Sequence, residues 1–312
     1  MPQEESDEAP PETRVPWRMR FHAWWEGYDL IVHEKMTEDE APDTEGQAPD
    51  TEGQEAVEEA PEETEPAFAE PWPPERVTMI QRIWGEGFTS PGGGFHILDL
   101  IKPLDLQAGR NLLHFGAGMG GPARLLAETF NVHATGWEPH RELAAATRRE
   151  VRAYDPDRMA DEADLFDYIF AKEVFFKLAD KDSLLEFLAG KLAERGHMLF
   201  TDYVLAEDGR NDPAVQAWLG AEPFPRFPIS LDEHLAVLER HALSVRSSED
   251  MTSTHSQMVQ RGWEYFLESL VEEKPDSTQL ASLRIELEVW ACRMQAMETG
   301  KLKVYRIHAR RA

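Results

Sequence analysis

Gly116-Ala117-Gly118-Met119-Gly120-Gly121 follows directly on the apolar run NLLHF and precedes PARLLAETF. A strand that feeds a helix through bare backbone turns amide N–H groups toward a ligand, and the missing Cβ atoms leave room for it. The next apolar run, VHATGW, ends in Glu138. A carboxylate at that place can accept hydrogen bonds from both hydroxyls of a ribose. Together these residues predict a nucleoside-bearing ligand at the carboxyl edge of a sheet. The plainer alternative is a structural turn beside a surface glutamate. The joint spacing of strand, loop, helix and acidic strand end favours the ligand.

The elements that would position this pair alternate along residues 75–312. Arg76 to Trp84 read as a helix, GEGFTSPGGG as a loop, and HILDLIKPLDL as a helix ending before Gly109. NLLHF, VHATGWE, VRAYD, LFDYIFA and HMLFTDYVL read as strands, with PARLLAETF, HRELAAATRREV and DKDSLLEFLAGKLA as helices between them. An insert, the helix SLDEHLAVLERHA, the strand LSVRSSED, long helical stretches over 256–270 and 278–298, and the strand LKVYRIHARR complete the chain. Such alternation implies an α/β fold, a parallel sheet with helices on both faces.

Residues 1–74 differ in kind. Residues 1–13 are acidic and Pro-rich, the composition of disorder. Residues 14–36 carry Trp17, Phe21, Trp24, Trp25 and Tyr28 near helical spacing, an aromatic docking segment. It would cap the protein's own core, or serve as a lid or partner-binding helix. Residues 37–74 repeat PDTEGQA as PDTEGQE and read as an extended, self-repelling acidic linker.

Composition bounds the partners. The 312 residues carry a net charge of −27 and no basic stripe, so a nucleic-acid partner is not expected. No run approaches ~18 apolar residues, so no membrane span is expected. The acidic start MPQEESDEAPPE lacks the apolar stretch of a signal peptide, and Cys292 is the single cysteine, so the expected compartment is the reducing cytoplasm. The eleven histidines are scattered without ligand spacing, and no metal is expected.

A glycine loop with an acidic strand end is shared by dinucleotide-binding and S-adenosylmethionine-binding folds. The remaining segments separate the two. LLHFGAGMGGPARLLAE resembles the first motif of class I S-adenosylmethionine-dependent methyltransferases, and FDYIFAKEVFFKLADK with LLEFLAGKLAERGHMLFTDY is similar to their fourth and fifth strands. WGEGFTSPGG and the TDY ending the fifth strand resemble the phosphoethanolamine and glycine/sarcosine N-methyltransferase branch. The resemblance covers residues 76–250 well and the last strand loosely. It implies a Rossmann-like, mostly parallel seven-stranded sheet with its last strand antiparallel, a core over 105–205, and a substrate-side part over 206–312.

The resemblance also implies a site. Gly116, Ala117, Gly118 and Gly120 would line the methionine moiety of S-adenosylmethionine, and Glu138 would hold its ribose. Asp155 matches the carboxylate that meets the adenine amino group, though it reads equally as the start of an Asp-Pro turn. Lys172 and Glu173 match the stretch under the cofactor, with a solvated pair as the alternative. Thr89 and Ser90 match the loop that closes on the methionine carboxylate.

Three departures stand out. His114 occupies the place where the family carries Asp or Glu, which helps bind the cofactor's ammonium. A neutral histidine accepts one hydrogen bond there, whereas a protonated one repels that ammonium. Only 27 residues separate Glu138 from Phe166, so helix and third strand must be trimmed. Ile80 and Lys177 stand where phosphoethanolamine methyltransferases have a lid tyrosine and a histidine, which argues against a phosphobase acceptor.

Methyl transfer needs a positioned nucleophile and a dry site. Asp202 and Tyr203, at the carboxyl end of the fifth strand, are candidates to pair with a substrate ammonium and to orient it; Asp202 could equally be a cap and Tyr203 a wall. His255 could face the same cleft or be structural. The partner is then a small-molecule methyl acceptor, most simply an amine. Alternatives are a catalytically weak relative acting as a sensor or scaffold, and a dinucleotide-dependent enzyme. The stretches 256–270 and 278–298 offer surfaces for a homodimer.

Overall fold

The computed structural model describes residues 71–147, 151–155, 158–159 and 163–311. The expected disordered, aromatic and linker segments lie outside them, except for the last four residues of the linker. The first helix, α1 (Pro74–Trp84), opens with Pro at its start, where the missing N–H costs nothing.

The predicted helix HILDLIKPLDL is corrected. Helix α2 (Gly93–Leu100) starts earlier and stops sooner, because Pro103 cannot donate to the preceding turn. A single 3₁₀ turn, Lys102–Leu104, follows. The alternating unit is β1 (Asn111–Phe115), α3 (Gly121–Phe130), β2 (His133–Glu138), α4 (Arg141–Ala145), β3 (Val151–Ala153), β4 (Phe166–Lys172), α5 (Lys181–Lys191) and β5 (Leu192–Leu205). The trimming expected after Glu138 appears as a five-residue α4 and a three-residue β3. Then come α6 (Pro213–Ala221), a two-residue β6 (Ile229–Ser230), α7 (Leu231–Arg240), β7 (Leu243–Asp250), α8 (Thr252–Ser269), α9 (Ser277–Glu298) and β8 (Leu302–Arg311).

The sheet runs β3-β2-β1-β4-β5-β8-β7, seven strands in one path, with β6 added beside the end of β5. Strands β1 to β5 are parallel, and β8 runs antiparallel between β5 and β7. The chain reverses its strand order between β1 and β4, where ligands bind outside the carboxyl ends of such sheets.

One face of the sheet packs Leu113, Ile169, Met198 and Phe200 against Leu184, Leu185 and Leu188 of α5 and Val237 and Leu238 of α7. The other carries α1, α8 and α9. There Trp84 sits edge-on to Trp263 and Trp290, with ring centroids 6.1 and 5.0 Å away. Gly262 makes this possible, since a Cβ there would lie 2.3 Å from the Trp84 ring. The long helices α8 and α9 thus pack on α1 of their own chain. No helix of the described residues is long and apolar enough to cross a membrane.

Candidate functional site

At the carboxyl ends of β1, β2 and β4 a cleft runs from the glycine loop to the side of α9. Gly116, Gly118 and Gly120 all have positive φ, from 55 to 78°. Crowding adds to this requirement at Gly116, where a Cβ would strike Val174 at 2.4 Å, and at Gly118, where it would lie 2.9 Å from Thr89 Oγ1. The Gly121 N–H donates to the Gly87 carbonyl at 3.1 Å, which docks the loop carrying Thr89 and Ser90 on the glycine loop.

Glu138 lines the cleft as the end of β2. Its Oε2 accepts from the Gly118 N–H at 2.6 Å, and its Oε1 from the His140 N–H at 2.9 Å and contacts His140 Nδ1 at 2.7 Å. A carboxylate has about four lone-pair sites, so one remains for a ligand hydroxyl. Trp72 packs edge-on to His140 at 5.9 Å, Arg76 lies 4.2 Å over Trp72, and Arg76 Nε donates to Glu286 of α9 at 2.8 Å.

The floor is the end of β4. The Lys172 ammonium donates to Ser90 Oγ at 2.6 Å, to the Pro91 carbonyl at 3.2 Å and to Glu173 Oε1 at 2.7 Å, so its three hydrogens are all placed. Glu173 holds a left-handed φ of 56°, uncommon for a side chain of its kind and frequent at functional sites. Burial opposes its ionisation, but Lys172, His255 and Arg293 outweigh burial and bring the carboxyl down to about 2.

Behind Glu173 stand Tyr203 and His255. The Tyr203 hydroxyl is 3.0 Å from His255 Nε2 and 3.3 Å from Glu173 Oε2, and it accepts from Arg293 Nη1 at 3.3 Å. Burial, then Lys172 and Arg293, push His255 down to about 4 against the pull of Glu173, so its ring is neutral. The one Tyr203 hydroxyl proton goes to Glu173 Oε2, so the neutral His255 ring carries its own proton on Nε2, toward the Tyr203 oxygen, and its bare Nδ1 lies 3.6 Å from Glu173 Oε1.

The far wall is a boxed guanidinium. Arg293 lies 4.4 Å over Trp290 and 4.8 Å over Tyr203, and it pairs with Glu222. Glu222 also accepts from Trp218 Nε1 at 2.6 Å and from Arg226 Nε at 2.9 Å. Arg293 Nε, buried, has no partner among the described residues.

Of the candidates read from the sequence, Thr89, Ser90, Gly116, Gly118, Glu138, Lys172 and Glu173 line the cleft. Ala117 and His114 line an adjoining small cavity beneath the glycine loop, with Thr89, Ser90 and Lys172. Gly120 lines neither; it caps the start of α3, and a Cβ there would meet Val151 at 2.9 Å. His114 stacks on Phe170 at 5.0 Å, and both its nitrogens lack partners among the described residues. Burial lowers it to about 4, so it is neutral and does not repel a cation.

Two candidates are corrected. Asp202 points to the opposite face of β5 from Tyr203, as alternation requires; it is fully buried, accepts from the Phe176 N–H at 3.1 Å and lies 3.3 Å from His234 Nε2. It does not line the cleft. Nor does Asp155, whose carboxylate accepts from the Arg158 N–H at 3.2 Å. Tyr203 and His255 act from behind Glu173 rather than at the cleft surface. Glu222, Arg226, Glu286 and Arg293 were not anticipated. The signal was available at Arg293, a cation within the apolar stretch VWACRMQAM, since buried charges on an apolar stripe demand partners.

Three comparisons bear on this arrangement. Residues 95–248 match a family model described as a methyltransferase domain. Phosphoethanolamine N-methyltransferase 1 of Triticum aestivum is 28% identical over 136 residues, 41% of this chain and 27% of the wheat protein. The chain thus spans about a quarter of that relative's length. Phosphoethanolamine N-methyltransferase 2 of Haemonchus contortus, solved with phosphomonomethylethanolamine and S-adenosylhomocysteine, superposes with a TM-score of 0.61 at 18% identity, covering 75% of this chain and 56% of that one. A putative sarcosine dimethylglycine methyltransferase from Galdieria sulphuraria superposes at 0.59 and 16% identity, covering 76% of this chain and 98% of that one.

Proposed function

We propose, from the match of residues 95–248 to a methyltransferase-domain model, that the chain transfers a methyl group from S-adenosylmethionine to the nitrogen of a small-molecule amine. The residues present suit that cofactor. The cradle at Gly116 and Gly118 excludes a side chain, Glu138 keeps an acceptor site facing the cleft, and His114 adds no positive charge. Gly116, Gly118, Thr89 and Ser90 would hold the amino-acid end and Glu138 the ribose. When bound, the cofactor supplies an electrophilic methyl group.

The observation that carries the amine reading is Glu173, an ionised carboxylate on the cleft floor between the glycine loop and the aromatic wall. A neutral nitrogen gains positive charge as it takes the methyl group, and a carboxylate and aromatic faces beside it favour that developing charge. A carboxyl held at about 2 is a poor base near neutral pH but a firm anchor. Glu173 therefore orients the acceptor nitrogen, and the acceptor sheds its proton to solvent before it is seated. Lys172 and Tyr203 hold the two Glu173 oxygens in place, His255 backs Tyr203, and Phe176, Trp290 and Arg293 wall out water.

Ile80 and Lys177 both line the cleft, and the sequence resemblance sets them against a tyrosine and a histidine of the phosphobase enzymes, so a phosphobase is not the acceptor proposed. The reading as a sensor or scaffold draws no support from this site. Formation of S-adenosylhomocysteine over a panel of amines, hydroxylated and carbon acceptors tests the proposal. Turnover confined to amines, and lost in Glu173→Gln, is expected. Turnover only with oxygen or carbon acceptors overturns it.

A further inference from the structure

Away from the cleft, four strands place a cationic cluster, with no carboxylate among the described residues, on one face of the sheet. The register sets Tyr168, His197, Arg310 and Ser244 in one row across β4, β5, β8 and β7. His308 stands two residues from Arg310 on the same face. The rings of His197 and His308 stack with centroids 5.1 Å apart, and His197 Nδ1 lies 2.9 Å from His308 Nε2. The pairing of β7 with β8 slips between Val245 and Ser247, which leaves Arg246 as the extra residue of a bulge. Bulges of this kind re-aim a side chain, and the Arg246 charge bears on both histidines.

The charges here are unmatched. Among the described residues Arg310 Nε donates only to the Arg195 carbonyl, at 3.3 Å. Neither Arg246 nor Arg310 meets a carboxylate among the described residues. Arg306, further along β8, is taken up by Glu249 and by the carbonyls of Asp99 and Leu100. The Tyr168 hydroxyl accepts from the Gln107 N–H at 3.3 Å. The outer ring nitrogens, His197 Nε2 and His308 Nδ1, carry no hydrogen bond among the described residues. Burial and the neighbouring cations push His308 down to about 4 and lower His197 as well, with no carboxylate pulling either back. The chain carries a net charge of −27, yet none of its described residues places a carboxylate here.

We propose that Arg246, Arg310, His197 and His308 form a binding site for a phosphate monoester group, separate from the methyl-transfer cleft. Two guanidinium forks suit the oxygens of such a group, and a phosphate monoester brings the charge that the cluster lacks. The histidine pair shares one proton across its inner nitrogens. In the neutral pair one outer nitrogen carries a hydrogen and the other a lone pair. One added proton makes both outer nitrogens donors, so the anion draws a proton onto the pair. The site lies at the opposite end of β5 from Tyr203, about six residues or ~20 Å along the strand. Its ligand therefore acts at a distance from the reacting atoms and is not the methyl acceptor.

The full chain would be titrated with glycerol 3-phosphate in one arm and with phosphatidic acid vesicles in the other, while the histidine ring signals are followed by NMR. Saturable binding in either arm supports the proposal, and the arm that responds identifies a soluble or a lipid source. Binding should move His308 from about 4 toward the ordinary histidine range and should weaken at least tenfold in Arg246→Gln/Arg310→Gln. Arg246→Gln alone, on an exposed bulge, decides the matter if the double variant does not fold; a loss of at least threefold is expected. S-adenosylhomocysteine affinity should not change in either variant. No binding in either arm, or binding undiminished in the variants, overturns the site.

Discussion

Lys172 and Glu173, neighbours in sequence, face each other across 2.7 Å as a buried ion pair in the floor of the cleft. Adjacent strand residues normally point to opposite faces. Here the strand ends at Lys172, and the left-handed φ of Glu173 turns its side chain back toward the ammonium. The pair therefore exists only because the backbone leaves the strand at that residue.

Removing one partner exposes its worth. Lys172→Met leaves Glu173 buried without its main counter-charge, which costs about 3–5 kcal/mol. Urea unfolding of the two proteins at pH 7 measures it. A difference below about 1 kcal/mol would show that Arg293 and His255 suffice to hold the carboxylate.

The same carboxyl sets an acid limit. Its folded value of about 2 lies below the unfolded value of about 4.5, so its contribution is fully present above the unfolded value. That contribution is lost as pH falls from about 4.5 toward 2. Wild type should therefore lose stability over that window more steeply than Glu173→Gln. Parallel curves for the two proteins would contradict the assignment.

His114 tests the cofactor end. In His114→Asp, a carboxylate near Lys172 would meet the cofactor's ammonium, and calorimetry should show S-adenosylhomocysteine binding about tenfold more tightly, or ~1.4 kcal/mol. Unchanged or weaker binding would count against that role. Wild-type affinity should not respond to His114 between pH 6 and 8, because that ring stays neutral down to about 4.

Two glycines make a paired control. Gly118→Ala forces a Cβ to 2.9 Å from Thr89 at a φ of 55°, so S-adenosylhomocysteine affinity and thermal stability should both fall, the latter by roughly 1–3 kcal/mol. Gly190→Ala, inside α5 with no atom within 4 Å of its new Cβ, should raise stability by roughly 0.5–1 kcal/mol and leave binding alone.

Asp202 separates support from chemistry. Asp202→Asn should lower stability, since it weakens the acceptor of the Phe176 N–H and the contact with His234, yet leave the KM for the acceptor within about twofold. A large rise in KM with stability intact would restore Asp202 to the cleft.

The sequence alone determined the alternating elements, the glycine loop, the acidic end of β2 and the short middle of the sheet. Each is a local matter: periodicity marks the strands and helices, and Gly116, Gly118 and Glu138 carry their meaning in their own neighbourhood. Only the tertiary structure decided which neighbours became partners. Asp202 and Tyr203 are equally suggestive as letters, and β5 sends one to each face of the sheet. Arg293 and Glu222 meet from α9 and the end of α6, 71 residues apart, and neither position advertises the other. Whether Asp155 or His255 reaches the cleft depends on turn geometry and helix placement, which are set by long-range packing and leave little trace in local spacing.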